Sequence, residues 1–313
     1  MKKYKLVILH FAIILLILGL TVKFTEEIQT AKQAIYYALH MDANQTAPAA
    51  ETEGSQLSLH TMVHSGDEWF LKYPLIFHAG GEINGSSYTN SVEAVEETLT
   101  ENGGKCVVEM DLSYTSDGAL VCVHNWSDAI LNQQDPVTLA EFLSCRIQGK
   151  FTPLSVKQLL QLMREHPQMY LVTDVKTERD SLKAVITDLV RLCNRDESIL
   201  SRFIIQVYTG GEKPDIQKIY PFADEQFILT AYQMGGWQPE IAQICNEEDI
   251  SVVTVASGQM PDEDVALLRG KGFAVYEFTV NRADVARQAL QRGISGFYTD
   301  NLALTDLEQQ TIS

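Results

Sequence analysis

The sequence predicts an α/β fold, a TIM-type (β/α)8 barrel preceded by an N-terminal transmembrane helix. Three observations carry this. Short apolar runs alternate with amphipathic stretches from residue 69 to residue 305, the pattern of a parallel sheet with helices on its faces. Eight or more such units in one run match a closed barrel of about 250 residues better than an open sheet. No GxGxxG or P-loop occurs to favour a nucleotide-binding open sheet.

The elements follow in order. "LIFHAG" (75–80) is a short apolar strand, and Ser91–Asn102 is a helix with Ser91 or Asn90 as its cap. "CVVEMDLSY" and "ALVCVH" are strands joined through "TSDG", where Asp117-Gly118 marks the turn. Ser155–Glu165 is an amphipathic helix after Pro153, followed by the strand "YLVTDV" and a helix over Asp180–Asn194. "RFIIQVY", "FILTAY", "SVVTVA" and "FAVYEFTV" are strands, each followed by a helix: Lys213–Tyr220, Pro239–Glu248, Asp262–Lys271 and Arg282–Arg292. "ISGFYTD" closes the series. That makes nine candidate strands, one too many for the barrel, and the pattern does not mark which lies outside it.

The N-terminus reads differently. "MKKYKLVILHFAIILLILGLTVKF" places Lys2, Lys3 and Lys5 before an apolar run from Leu6 to Val22, broken only by His10. The run is at the short end of a membrane span, and no A-x-A cleavage site follows. Residues 1–24 are therefore expected to be an uncleaved signal anchor, with the basic flank in the cytoplasm and the rest of the chain outside it. Residues 25–68 read as a stalk and flexible linker, because "DANQTAPAAETEGSQ" has no apolar period. The barrel spans 69–305, and 306–313 form a tail.

Charge excludes one class of partner. Lys and Arg number 24 against 41 Asp and Glu, a net charge of −17, which repels a phosphate backbone and argues against nucleic acid. An anionic substrate then needs a local cation. The five cysteines (106, 122, 145, 193 and 245) form no CxxC pattern and are odd in number, so they read as buried thiols. The oligomeric state is not legible.

Barrel catalytic groups sit where strands end. His78 ends the first strand. Glu109 and Asp111 end the second, and their i, i+2 spacing points both carboxylates to one face. His124 ends the third; Asp174, with Lys176 two residues on, ends the fourth. Three clustered carboxylates repel unless a cation sits among them, and hard oxygen ligands suit one divalent cation, Ca2+ or Mg2+. Two histidines can serve as general acid and base. Lys176 supplies a fixed positive charge for an anion, and Gly80 and Gly81 let backbone N–H groups approach a phosphate. A glycosidase pairing of Glu109 with Asp111 leaves the lysine and both histidines unexplained.

These stretches resemble the glycerophosphodiester phosphodiesterases, within the phosphatidylinositol-specific phospholipase C-like phosphodiesterase superfamily. "IFHAGG" is similar to the family's H-R-G opening. "YTNSVEAVEETLTENGGKCVVEMDLSYTSDGALVCVHNW" is similar to its E-N-T helix, E-x-D strand, T-x-D-G turn and terminal histidine. "TPLSVKQLLQL" matches its P-x-L-x-E-x-L helix, "LVTDVK" its E-x-K strand, and "YEFTVN" with "GISGFYTDN" its W-T-V-N and G-I-x-T-D ending. The resemblance implies a metal on Glu109, Asp111 and Asp174, catalytic histidines at His78 and His124, and a phosphate contact at Lys176. It implies a phosphodiester substrate, a small molecule or lipid, and attack by a neighbouring substrate hydroxyl through a cyclic intermediate.

Four positions depart from the pattern. The arginine of H-R-G is Ala79, the glutamate of E-N-T is Thr89, the glutamate of E-x-K is Asp174, and the tryptophan of W-T-V-N is Phe278. Losing the arginine removes a bidentate phosphate contact that lysine cannot copy. The expectation is altered substrate choice, with Ala79 leaving room beside the phosphate. A catalytically weak or inactive barrel that binds phosphodiesters is the alternative. Trp126, Trp237 and Tyr298 are candidates to line a groove, and Ser127–Thr152 is long enough to form a loop over the barrel mouth. The N-x-S/T triplets at Asn44, Asn84 and Asn125 read as chance.

Overall fold

The computed structural model describes residues 59–130, 133–175 and 182–308. The expected anchor (1–24), most of the linker, Lys176 and the end of the tail lie outside the described residues. Among the described residues no helix is long and apolar enough to cross a membrane.

Among the described residues nine strands are seen: β1 (Leu75–Phe77), β2 (Lys105–Tyr114), β3 (Leu120–Cys122), β4 (Gln168–Val175), β5 (Phe203–Val207), β6 (Phe227–Thr230), β7 (Val252–Ala256), β8 (Ala274–Phe278) and β9 (Gly296–Thr299). Eight of them pair in parallel in the order β1-β9-β8-β7-β6-β5-β4-β2, and a β1–β2 pairing closes the barrel. The strand outside is β3. It pairs antiparallel with the last residues of β2, with Leu112 opposite Cys122 and Tyr114 opposite Leu120.

This corrects the expectation that His124 ends a third barrel strand. β2 runs past the rim, turns at Asp117-Gly118 and comes back down as β3. The Val123 N–H then donates to the Asp111 carbonyl at 2.8 Å. His124 is thus returned to the level of Asp111 by a hairpin rather than delivered by a rising strand.

Alternation along the strands sorts the side chains. Ile76, Val107, Val172, Ile204, Ile228, Val252, Ala274, Tyr276 and Tyr298 form the inner cluster at the barrel floor. The odd positions that follow Val107 on β2, Glu109 and Asp111, share its inward face; Val108, Met110 and Leu112 face the helices and join the outer core. The same alternation turns His78, Asp174, Gln206, Tyr208 and Asp300 inward above apolar floor residues. The inside of the barrel is therefore dry below and polar above. A short 3₁₀ turn, Trp69–Leu71, plugs the floor: Trp69 Nε1 donates to the Glu225 carbonyl at 2.8 Å, and the Tyr276 hydroxyl donates to the Tyr73 carbonyl at 2.7 Å.

Two segments differ from expectation. Leu59 and Met62 are buried in the outer core, and the Met62 N–H donates to the Lys271 carbonyl at 2.8 Å. The packed chain thus reaches back at least to Leu59, ahead of residue 69. The long segment after β3 carries short helices, Trp126–Ala129 and Leu139–Ser144. Its Trp126, Phe142, Ile147 and Phe151 form a small separate core with Ala94 of the helix Val92–Glu101. Apolar residues in the segment give it a flank to pack on, which a simple mouth loop would lack.

Candidate active site

Glu109, Asp111 and Asp174 converge at the top of the barrel, each offering an oxygen within 4.8 Å of the others. Glu109 and Asp111 stand on β2, and Asp174 is opposite Asp111 on the neighbouring β4. All three are almost fully buried. Like charges this close, removed from water, are costly unless a cation compensates them. The donor set is all carboxylate oxygen, which fits a hard divalent cation such as Mg2+ or Ca2+ and not a site built for zinc.

Protein donors hold these carboxylates. The Ala79 N–H donates to Glu109 Oε2 at 2.8 Å. Asn90 donates through Nδ2 to Asp111 Oδ2 at 2.7 Å and accepts the Asp111 N–H on Oδ1 at 3.0 Å. The Tyr208 hydroxyl donates to Asp174 Oδ1. Burial, followed by the Asp174 charge, pushes the Tyr208 phenol well above its ordinary range, so it stays a protonated donor.

His78 follows β1 in a short 3₁₀ turn. Its Nδ1 is 2.9 Å from Asp300 Oδ1, and its Nε2 is 4.0 Å from Glu109 Oε2. Asp300 is itself fixed by Asn281, which donates Nδ2 to Oδ2 at 2.6 Å and accepts the Asp300 N–H at 2.8 Å. Burial favours a neutral imidazole. The hydrogen bond to Asp300 and the charges of Glu109, Asp300 and Asp111 outweigh it, and His78 is raised from 6.5 to about 9. His124 enters from the hairpin, with Nδ1 3.0 Å from Asn125 Nδ2. The Tyr88 ring makes T-shaped contacts with both histidines, with ring centroids 4.3 Å apart for His78 and 5.3 Å for His124.

The glycines after His78 shape its turn. Gly81 N–H donates to the His78 carbonyl at 2.9 Å, and Thr98 donates to the Gly80 carbonyl at 2.7 Å. A Cβ on Gly81 would come within 2.5 Å of Thr98 Oγ1. Ala79 differs from expectation as well: it has no exposed surface, and its carbonyl accepts the Asn90 N–H at 3.1 Å. The missing arginine therefore leaves no open space against the Ala79 methyl. Thr89 turns to Ser91, with 2.9 Å between their hydroxyls. Among the expected groove residues, Tyr298 lies inside the barrel with its hydroxyl on Gln206 Oε1 at 2.9 Å. Trp126 is in the flanking core, and Trp237 donates to Asp264 at 2.8 Å.

Asp300, Asn90 and Tyr208 were missed as site residues. Asp300 and Asn90 stand within recognised motif stretches. Tyr208 follows Gln206 at the end of an inward face, a polar i, i+2 pair like Glu109 and Asp111.

The sequence pattern of the glycerophosphoryl diester phosphodiesterase family matches residues 84–304. No curated protein matches the chain. Solved structures share the fold. A glycerophosphoryl diester phosphodiesterase from Parabacteroides distasonis aligns with a TM-score of 0.57 at 15% identity, covering 79% of this chain and 85% of that one. An Oleispira antarctica phosphodiesterase, solved in complex with the product sn-glycerol-3-phosphate, aligns at 0.58 and 15% identity over 72% and 92%. A glycerophosphodiester phosphodiesterase from Agrobacterium tumefaciens aligns at 0.54 and 16% identity over 73% and 96%.

Proposed function

The chain belongs to the glycerophosphoryl diester phosphodiesterase family, whose members are phosphoric diester hydrolases, and from that premise we propose a metal-dependent hydrolase of glycerophosphodiesters or related lipid or cell-surface phosphodiesters. The observation that carries this reading is the convergence of Glu109, Asp111 and Asp174 beside the Asp300-held His78. A divalent cation held by the three carboxylates would supply charge compensation for a phosphoryl oxygen.

The protein's own groups do the proton work. Asp300 fixes the Nδ1 proton of His78, and a cation on the three carboxylates would offset the negative charge that keeps the imidazole protonated, leaving Nε2 to accept the proton of the attacking hydroxyl. His124 donates a proton to the leaving alkoxide. The new P–O bond forms on the hydroxyl oxygen as the bond to the leaving alcohol breaks. With a neighbouring substrate hydroxyl as nucleophile, the product is a cyclic diester, which water opens with the two histidines exchanging roles. Lys176 is the proposed phosphate contact, and Gly80 and Gly81 shape the adjoining turn. Residues 6–22 are proposed to anchor the chain in a membrane with the barrel outside the cytoplasm.

A binding-only barrel is the second reading, favoured by the sealed Ala79 and the Thr89 side chain turned to Ser91. Hydrolysis of glycerophosphodiesters and of an aryl phosphodiester, with and without EDTA, separates the two. Turnover abolished by EDTA and restored by Mg2+ or Ca2+ is expected. Ligand binding without turnover under any metal would establish the second reading.

A further inference from the structure

Tyr88 is strained and 38% exposed, yet it is held in place. Its φ is 58°, in the left-handed region that a bulky side chain rarely occupies. Such angles persist where the surroundings impose them, and they gather at functional sites. Here the loop before Tyr88 is tied down. Asn84 and Gly85, with φ of 51° and 71°, form a two-residue turn that joins Ile83 to Ser86 through two backbone bonds of 3.0 Å. The Glu82 N–H donates to the Asp300 carbonyl at 2.6 Å, and the Asn90 N–H donates to the Ala79 carbonyl at 3.1 Å. Both ends of the loop are therefore fastened beside His78. Gln148 adds a bond from Nε2 to the Ser87 carbonyl at 3.0 Å. The loop also shares a support with His124: Ile83 packs in the flanking core with Trp126, two residues after that histidine.

The ring so placed meets both imidazoles, at interplanar angles of 88° to His78 and 78° to His124, an arrangement that aromatic rings favour. An acid and a base that serve one phosphodiester must keep their separation and direction. A misplacement of about 1 Å costs about 10²-fold in rate. His78 takes its direction from Asp300, whereas His124 arrives on a different hairpin. A ring in contact with both ties these two supports together. We propose that Tyr88 is a positioning residue whose aromatic ring sets the His78 and His124 imidazoles relative to one another, and so raises kcat without binding substrate. The inference rests on the two-histidine reading above.

The test is steady-state hydrolysis of glycerophosphocholine and lysophosphatidylcholine by the full-length protein, supplied with Mg2+ or Ca2+. Tyr88→Asn removes the ring and keeps the backbone, because Asn tolerates the left-handed region. Its kcat is expected to fall by about 10²-fold, with KM changed far less. Tyr88→Phe keeps the ring and should keep kcat near wild type. In His78→Ala and His124→Ala backgrounds Tyr88→Asn should cost little more, since groups that act as a unit are not additive. Equal cost in all three backgrounds would overturn the proposal, and so would a raised KM at unchanged kcat. A Tyr88→Phe as slow as Tyr88→Asn would overturn it too, by moving the role from the ring to the hydroxyl. So would a Tyr88→Asn faster than wild type, which would make the ring an obstruction. Should Tyr88→Asn fail to fold, Tyr88→Gly suits the same φ and takes its place. A wild type that hydrolyses neither substrate under either metal would remove the functional reading and this inference with it.

Discussion

Asp300 and His78 meet at 2.9 Å although 222 positions separate them in the chain. The first and last barrel strands pair directly, so closing the barrel is what assembles the pair. Asp300→Asn should keep the shape of the contact and lose its charge. Activity is expected to fall by about 10²-fold or more, the scale of one acid–base group. The pH profile should shift with it. An Asn variant with wild-type rate and profile would remove Asp300 from the mechanism.

The same pair sets a pH dependence of stability. In metal-free protein His78 is raised to about 9 from 6.5. A group raised on folding stabilises fully below its unfolded value, and the contribution is lost as pH rises through the folded value. The melting temperature of EDTA-treated wild type should therefore decline between pH 6.5 and about 9 relative to Asp300→Asn. Parallel curves for the two proteins would show that Asp300 does not raise His78.

Much of this site was legible in the strands. The i, i+2 spacing of Glu109 and Asp111 reports inward direction whatever the pairing, and Asp174 repeats it one strand over. The Asp117-Gly118 turn marked the hairpin, but the place of its second strand outside the barrel was not legible, because "ALVCVH" is as apolar as a barrel strand. Its antiparallel pairing depends on β2 outrunning its neighbour, a matter of length rather than pattern. Tyr208 and Asn90 escaped for another reason. Neutral side chains at strand and helix ends have many uses, and only the fold shows that these two reach carboxylates.

Ala79 gives a prediction opposite to the one its size suggests. The residue is sealed, left-handed and bonded through both N–H and carbonyl. Ala79→Arg must force a long side chain out of a buried site, so it should lower the melting temperature and weaken metal binding through Glu109. Overpacking of this kind costs about 1–3 kcal/mol. Unchanged stability with higher activity on small glycerophosphodiesters would mean the arginine is accommodated as in the family pattern.

Gly81→Ala probes the turn after His78. The added Cβ would lie 2.5 Å from Thr98 Oγ1, at a φ of 99° that alanine rarely adopts. Thr98 holds the Gly80 carbonyl, so the strain passes to the turn that carries His78. A loss of about 1–3 kcal/mol is expected in denaturant unfolding, with a fall in activity. Gly81→Ala/Thr98→Ala should recover part of the stability by removing the clash. No recovery in the double variant would place the cost in the backbone angle alone.

The two histidines should differ in what rescues them. His78 is held by Asp300, and its Nε2 faces the carboxylates, so its proposed task is to take the proton of the attacking hydroxyl. His124 comes from the hairpin, also contacts the Tyr88 ring, and is assigned the leaving alkoxide. General acid–base help amounts to roughly 10²- to 10⁴-fold, and each alanine variant should lose at least the lower figure on an alkyl diester. A p-nitrophenolate leaving group needs no proton to depart. His124→Ala should therefore recover much of its rate on an aryl diester, whereas His78→Ala should stay slow, since the nucleophile must still lose its proton. Recovery in His78→Ala alone would exchange the two roles. If both variants keep near wild-type rates on the alkyl diester, the proton transfers do not belong to these imidazoles, and the site is better described as a binding pocket.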